Sequence, residues 1–423
     1  MSNVNLAAFR ALPEPLQRAC QDLTLMPDPA FSTAAAADTL QAAPEITRTT
    51  LNRLQAAHLL EQPEPDQWRM PKPVRTYGHT LLEDVPEAER ARIVARIARH
   101  YLLWAAGLDR LIAPGRRRVA AVFTWHPETP PAAATAEQAL ALLHTRAPTL
   151  VAAQAQAADA GLHHLAWQYL DALWGYLTRQ HNYRAWRKVC RVGDHSAHYL
   201  KDPTALALWH SLSGLLGRHC GFFRRALDHH NQTERRVLDA GDTLTQAAAA
   251  EHQGATLLRL NQPQKALEVL QRGLALYQAA TIPHQRGQAL LERQLAIALA
   301  KLGEGDQAKE HFRAVETVFG AYDELYLCAR LGLDRAQVAL DAEDPASALG
   351  HLAQAEQRFS GWSDPDRARL LYLSAAAHTL AGDQDTAARA RAAAIPLAQQ
   401  LPRNHPIALL IQTLTNHSPG TTE

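Results

Sequence analysis

From about Leu162 to Leu401 apolar positions recur at helical spacing in blocks, each block parted from the next by a short polar linker. The linkers share a form: a turn, then a helix that opens on alanine. It reads Leu260-Asn261-Gln262-Pro263-Gln264-Lys265-Ala266, then Leu302-Gly303-Glu304-Gly305-Asp306-Gln307-Ala308. It recurs as Glu343-Asp344-Pro345-Ala346-Ser347-Ala348 and Gly382-Asp383-Gln384-Asp385-Thr386-Ala387, with weaker copies ending at Ala185 and Ala226. Successive alanines lie 41, 40, 42, 40 and 39 residues apart. Twelve residues before each stand Leu173, Gly214, Gly254, Ala296, Ala336 and Ala375, all small but the first. Paired small positions let two antiparallel helices approach closely.

A fixed period of helix pairs marks an α-solenoid. The paired small positions favour a tetratricopeptide repeat over HEAT or armadillo repeats. The usual tetratricopeptide period is about 34 residues, so about 40 implies longer helices or longer loops. The expected stack is six repeats.

The first 80 residues have a different pattern. Pro13–Met26 is predicted helical. Ser32 caps a helix over Thr33–Gln41, and Pro44 opens a third running to about Leu60, with Ile46, Leu51, Leu54 and Leu59 on its apolar face. Glu61–Asp66 is predicted as a turn and Gln67–Met70 as a short strand. Three helices and a β wing make a winged helix-turn-helix. Residues 83–160 look helical, broken by the proline-rich loop His126–Pro131. The expected organisation is a winged helix at 1–80, a helical connector at 81–160, the solenoid at 161–402 and a tail at 403–423 that frays from Thr415. The fold class is all-α.

Composition narrows the function. Of 423 residues 47% are hydrophobic, enough for a real core, and 43 Lys+Arg against 42 Asp+Glu give a net charge of +1. Such a chain has no global field to draw nucleic acid or an anionic membrane. No apolar run approaches a membrane span, and the N-terminus lacks a signal-peptide pattern. Cys20, Cys190, Cys220 and Cys328 are far apart, so neither a disulfide framework nor a zinc knuckle is written in the sequence. A cytoplasmic location is expected.

Leu51–Glu61, Trp68-Arg69-Met70 and Val74-Arg75-Thr76-Tyr77, followed by Tyr101-Leu102-Leu103, Leu111–Pro114, Arg116–Val119, Thr149–Ala153, Gly161-Leu162-His163 and Ala166-Trp167, form an ordered set. The set resembles the winged-helix and repeat half of bacterial STAND regulators with an NB-ARC domain, of the SARP group. The resemblance implies a tetratricopeptide array behind a winged helix, and a role in transcription, such as of a specialised-metabolite cluster. Two departures stand out. No Gly-x-x-x-x-Gly-Lys-[Ser/Thr] loop occurs in the sequence, and the positions matching the family's Met-His-Asp nucleotide sensor read Met70-Pro71-Lys72. The resemblance therefore implies the sensing half of such a regulator without its nucleotide control, and no cofactor.

Candidate sites follow from the repeat frame. Arg218, Glu251, Arg259, Arg293, Lys301, Arg330, Asp341, Arg369 and Tyr372 are expected on the inner face, with Trp167 and Trp174 lining the first repeat. That face is net basic and would suit an acidic peptide, a carboxylate terminus or a phosphorylated small molecule, because the arginine fork pairs with such oxygens. In the third helix Thr47, Arg48, Thr49, Thr50 and Arg53 could reach DNA. Residues 1–80 hold seven Lys/Arg against eight Asp/Glu, which disfavours DNA. The histidine and cysteine groupings (Cys190, His195, His198; His219, Cys220, His229, His230) lack zinc spacing, and no catalytic motif is visible, so neither a metal site nor an enzyme is expected. Arg116-Arg117-Arg118 reads as a positioning loop. The expected function is a non-enzymatic regulator that binds a protein, peptide or small effector in its groove and adjusts transcription. The alternatives are a ligand-gated DNA-binding factor and a scaffold for a separate STAND ATPase.

Overall fold

The computed structural model describes residues 3–128, 130, 132–238, 241–358 and 361–416. The chain divides into two compact units. The first takes in the described residues up to Ile112, then Val119–Trp174 and Arg187–Lys201; the second takes in Ala113–Arg118, Gly175–Trp186 and the described residues from Asp202 onward.

The first unit opens with α1 (Asn3–Arg10), α2 (Glu14–Thr24), β1 (Ala30–Ser32), α3 (Thr33–Leu40), α4 (Pro44–Ala56), β2 (Glu61–Glu64) and β3 (Gln67–Arg69). The strands form an antiparallel sheet in the order β1-β3-β2, with Phe31 opposite Trp68. Both rings are buried, and the Trp68 indole N–H donates to Thr33 Oγ1 at 2.9 Å. Ser32 caps α3 by accepting from the Ala35 N–H. Helix α4 ends four residues short of the expected Leu60. His58 turns left-handed at φ 58°, and the Leu59 N–H folds back to the Leu54 carbonyl at 2.9 Å. The buried stripe of α4 is Thr47, Leu51 and Leu54, at i, i+4 and i+7. Ile46 sits one position off that stripe and is 62% exposed, contrary to expectation. Strand β2 likewise replaces most of the turn expected over Glu61–Asp66. Beyond the sheet come α5 (Lys72–Leu81), α6 (Glu87–Ile112) and α7 (Ala136–Asp159). Thr135 and Gln138 form a reciprocal capping box at the start of α7. Thr129 and Pro131 of the proline-rich loop lie outside the described residues.

Residues of the expected first repeat form α8 (His163–Ala166), α9 (Tyr169–Ala172), α10 (Trp174–Gln180) and α11 (Tyr183–Leu200). They are divided between the two units: Gly175–Trp186 belong to the second, their flanks to the first. In the first unit the buried Asp171 accepts the Val119 and Ala120 N–H groups at 2.8 Å each.

The second unit continues with α12 (Pro203–His219), α13 (Phe223–Leu238), α14 (Thr243–Arg259), α15 (Pro263–Ala279), α16 (Gln285–Lys301), α17 (Gly305–Ala321), α18 (Leu325–Asp341), α19 (Pro345–Arg358), α20 (Asp364–Leu380), α21 (Gln384–Gln400) and α22 (Pro406–Asn416). Helices α12 to α21 pack as consecutive pairs, a tetratricopeptide-like repeat. Most are 17 residues long, which accounts for a period near 40. The frame alanines Ala226, Ala266, Ala308, Ala348 and Ala387 are buried. At Gly254 a Cβ would lie 2.5 Å from the Leu270 side chain. Helix α22 occupies 406–416, within the expected tail and running into the stretch from Thr415 that was expected to fray; Ile407, Ala408 and Ile411 pack against Ala394 and Ala398 of α21. The rest of that tail, from residue 417, lies outside the described residues. No helix among the described residues is long and apolar enough to cross a membrane.

Each pair turns through one left-handed residue: Gly221, Asn261, Gly303, Glu343 and Gly382, with φ between 55° and 89°. The residue after each sends its N–H back to close a Schellman turn, as from Asp344 to the Ala339 carbonyl at 2.9 Å. Glu343 is the acidic outlier in this series and is exposed. A β-carbon is strained at φ 56°, and glycine is not. Glu343→Gly should therefore raise stability by about 0.5–1 kcal/mol. Urea unfolding checks this, and a lowered midpoint would contradict it.

Candidate functional site on the inner face of the second unit

The first helices of successive pairs, α12, α14, α16, α18 and α20, pack on one another in series. They are thus the inner layer of the curve. The early segment of this unit meets its last helices. The His181 ring hydrogen-bonds Ser363 Oγ at 2.9 Å, the Tyr183 and His405 rings lie 6.0 Å apart, and a Cβ on Gly221 would strike the Asn404 carbonyl. These contacts tie the early segment of the unit to its last helices.

Arginines on that face are mostly met by buried carboxylates. Glu324 accepts Arg179 and Arg286, each Nη2 at 3.2 Å from Oε2, and Arg179 lies over the Tyr326 ring. Asp334 Oδ1 accepts Arg369 Nη2 at 2.8 Å, and its Oδ2 lies 2.9 Å from Arg293 Nε. The second approach is a charge contact with poor hydrogen-bond angles, since both atoms lack a hydrogen-bond partner. Asp366 Oδ2 accepts Tyr326 Oη at 2.9 Å and Ser363 Oγ at 3.0 Å, with Arg330 Nε 4.0 Å from Oδ1. Lys301 and Asp341 are a loose exposed pair at 3.9 Å.

Arg218 and Arg259 differ. Among the described residues neither makes an ion pair or a hydrogen bond, and Arg218 Nη1 is buried without a partner. Burial, with Arg369, Arg218 and Arg330 nearby, pulls Arg259 down to about 10. Arg259 itself is exposed to solvent, so it lies among the inner-face residues without being packed in a core. Burial also pulls Arg218 to about 10, with Arg330 and Arg293 adding to it and Glu251 opposing. Glu251 is buried and bonds its neighbour His252. Burial works against its ionisation, but His252, Arg218 and Arg293 outweigh that and hold it at about 2.

Beside these arginines lies a group of neutral histidines. Burial lowers His181 and His405 to about 4 each, and pushes His219 and His230 well below the usual range. His181 lies 4.6 Å from His219 and 6.1 Å from Tyr183, ring to ring. Buried and without partners are His181 Nε2, His405 Nε2, Tyr183 Oη and both ring nitrogens of His230. Their tautomers follow from the other bonds. Ser363 gives its one hydrogen to Asp366, so His181 Nδ1 donates to Ser363 and Nε2 is a bare acceptor. His405 Nδ1 accepts from the Ile407 N–H, so Nε2 carries the proton.

No family model matches the chain, and no curated protein does. Solved structures share its course at low identity. A Rap protein complexed with competence and sporulation factor is 11% identical, with a TM-score of 0.45 over 93% of this chain and 100% of that one. Aspartyl phosphate phosphatase F from Bacillus subtilis is 11% identical, TM-score 0.42, over 92% and 96%. A STAND protein with a tetratricopeptide-repeat sensor from Pyrococcus horikoshii is 13% identical, TM-score 0.36. It matches 92% of this chain, which spans 64% of that one.

Of the residues named from the repeat frame, Arg293 and Arg369 meet on Asp334 and Arg330 approaches Asp366, while Arg218, Glu251 and Arg259 share α12 and α14 of the same inner layer. Lys301 and Asp341 are instead the last residues of α16 and α18, and Tyr372, midway along α20, packs against apolar residues of α20 to α22. Trp167 and Trp174 belong to the first unit, and Trp167 is buried in its core instead of lining a groove. In α4, Arg48 is exposed and paired with Asp66 at 2.9 Å, Arg53 and Thr49 are exposed, and Thr50 is half-buried. Thr47 faces the core, fully buried with its hydroxyl on the Ala42 carbonyl, because it lies on the Leu51–Leu54 stripe; it is not placed to touch DNA. Sequence reasoning missed Arg179, Arg286, Glu324, Asp334, Asp366, His181 and His405. The frame itself held one clue: His181 takes the left-handed position that Gly221 and Asn261 take in later repeats. Of the basic run, Arg117 binds Asp242 and Thr245 at the start of α14, a positioning role within the second unit. No three His, Cys, Asp or Glu side chains among the described residues are arranged to hold a metal ion.

Proposed function

We propose that this protein is a non-enzymatic regulator whose solenoid interior binds a partner, either a protein segment, a peptide or a small anionic effector, and that occupancy adjusts transcription. The observation that carries the reading is the pair Arg218 and Arg259. Among the described residues they make no ion pair or hydrogen bond; Arg259 is exposed, and Arg218 is half-buried and feels Glu251. The planar guanidinium fork pairs with carboxylate or phosphate oxygens, which is the chemistry such a partner would bring. The chain order α2-β1-α3-α4-β2-β3, with sheet order β1-β3-β2, supports a winged helix-turn-helix. Its exposed α4 face mixes Glu45, Arg48, Asn52 and Arg53, and Arg48 is tied to Asp66, which favours a structural module over a DNA reader. The cellular setting consistent with this reading is the cytoplasm.

Affinity capture from the native host, with wild type and an Arg218→Gln/Arg259→Gln variant side by side, is the test. Partners should be recovered by wild type and lost with the variant while circular dichroism is unchanged. Equal recovery would remove the inner face from the function. Mobility shift on the protein's own upstream DNA at moderate salt separates the alternative of a ligand-gated DNA-binding factor: no shift is expected. Recovery of a STAND ATPase would favour the scaffold reading.

A further inference from the structure

We infer that the contact between the early segment of the second unit and its last helices is an acid-released clasp, held by neutral histidine rings and opened at mildly acidic pH while the helix pairs beyond it stay folded. The inference goes beyond the function proposed above and does not depend on the identity of a partner. The clasp gathers residues of the second unit from three stretches of chain. His181 and Tyr183 lie at the start of α11, His219 ends α12 ahead of the Gly221 turn, and Ser363, Asn404 and His405 stand before α20 and α22. The His181 ring hydrogen-bonds Ser363 Oγ at 2.9 Å and lies 4.6 Å from the His219 ring. Tyr183 lies 6.0 Å from His405, and Trp186 5.7 Å from His219. Gly221 packs so closely on the Asn404 carbonyl that a Cβ would strike it.

The rest of the unit is held by other means. Apolar clusters run from Ala247 of α14 to Ile411 of α22, and their side chains take up no proton between pH 7.5 and 5.5. The ion pair of Arg179 with Glu324 tethers the early segment to α18 without a histidine. Segments open separately where few apolar contacts hold them. The clasp is such a place, and its bonding depends on uncharged rings.

His181 and His405 are both 4% exposed, and neither has room for a second proton. His405 Nδ1 accepts the Ile407 N–H at 3.2 Å, so a proton there would set one N–H against another. His181 donates through Nδ1 to Ser363, so its second proton must go to Nε2, which is buried with no acceptor in reach. Tyr183 Oη is buried and unmatched beside them. His181 is also left-handed at φ 54°, a strained setting for a residue with a Cβ, so its ring contacts must hold it there. Facing the rings are Tyr326, Cys220, the arginines Arg218, Arg259 and Arg330, and the carboxylate of Asp366. Asp366 already takes Ser363 and Tyr326 and faces Arg330, so a charged ring would meet more cations than anions. Burial accordingly holds both histidines at about 4. A ring so lowered binds fewer protons closed than open. The closed form is therefore favoured in full above pH 6.5 and loses ground as pH falls.

Hydrogen exchange read by mass spectrometry at pH 7.5, 6.5 and 5.5, corrected for the intrinsic exchange rate, tests this. Each ring that leaves its site should favour opening by about tenfold between pH 7.5 and 5.5. Protection of peptides over 181–186 and 402–407 should therefore fall by about a hundredfold, with that of α16 to α19 changing by less than about twofold. His405→Asn keeps an acceptor for the Ile407 N–H without titrating, and His181→Asn tolerates the left-handed turn. The double variant should lose only about tenfold or less over the same range. An equal loss over α16 to α19 would show acid unfolding of the whole unit and overturn the clasp. Undiminished protection at pH 5.5, or the wild-type pH dependence in the double variant, would overturn it as well. Should the double variant not fold, the regional pattern in wild type and the single His405→Asn variant, expected to lose about tenfold, decide the matter.

Discussion

Asp334→Ala should unfold the second unit more readily than wild type by about 3–5 kcal/mol. Asp334 is 5% exposed and holds Arg369 and Arg293, the latter 8% exposed. Burial disfavours its charged form, yet Arg293, Arg369 and Arg330 outweigh that and keep its carboxyl below the usual range. Removing the carboxylate leaves buried Arg293 and half-buried Arg369 without their shared anion, beside Arg259, which Arg369 already disfavours. The loss is mainly that of stranded charge rather than of two bonds. Denaturant unfolding of Asp334→Ala alone and of Asp334→Ala/Arg293→Met/Arg369→Met measures it. The triple variant should recover most of the stability, since well-packed apolar residues replace a buried ion triad at little loss. If the single variant matches wild type, the carboxylate does not organise this face.

Acid should act through the histidines before it acts through the carboxylates. His181 and His405 have folded-state values of about 4 against 6.5 unfolded; burial is the main cause, with Asp366 opposing it in both. Arg330 adds to the lowering at His181, and His181 and Arg259 add to it at His405. A depressed histidine binds fewer protons folded than unfolded, so its contribution is complete above pH 6.5 and is lost as pH falls toward 4. Each of the two should lose about 3 kcal/mol over that window. His219 and His230, lowered further, act in the same direction. Glu251, Asp334 and Asp366, whose values are depressed, should add their loss only below the ordinary carboxylate range. Urea midpoints at pH 7.5, 6 and 5 decide it: a steep fall is expected, and a flat profile would mean that these rings reach solvent.

The repeat was legible because its demands are local. A frame alanine and the small residue twelve positions before it meet within one helix pair, so Gly254 and Ala266 announce the packing of α14 on α15. The linkers between helices were legible for the same reason; that Gly303 and Gly382 are left-handed came from the structure. Helix α4 was read too long and on a slightly rotated face, since Ile46 and Thr47 compete for one stripe and hydrophobicity favours the wrong one. The arginines of the inner face could be named from the frame, but not sorted into paired and unpaired. Arg259 and Arg293 look alike in sequence, and only Asp334, 41 residues beyond Arg293, separates their roles.

The sequence by itself determined the helix pairs, their period and the side of each pair that carries arginine. All follow from spacing within about 40 residues, where side-chain volume and turn geometry act between chain neighbours. Only the tertiary structure decided that the early segment of the second unit meets its last helices, bringing His181 to Ser363 across 182 residues, and which arginines share which carboxylates. Curvature accumulates from small rotations at every helix contact, and no single linker encodes that sum.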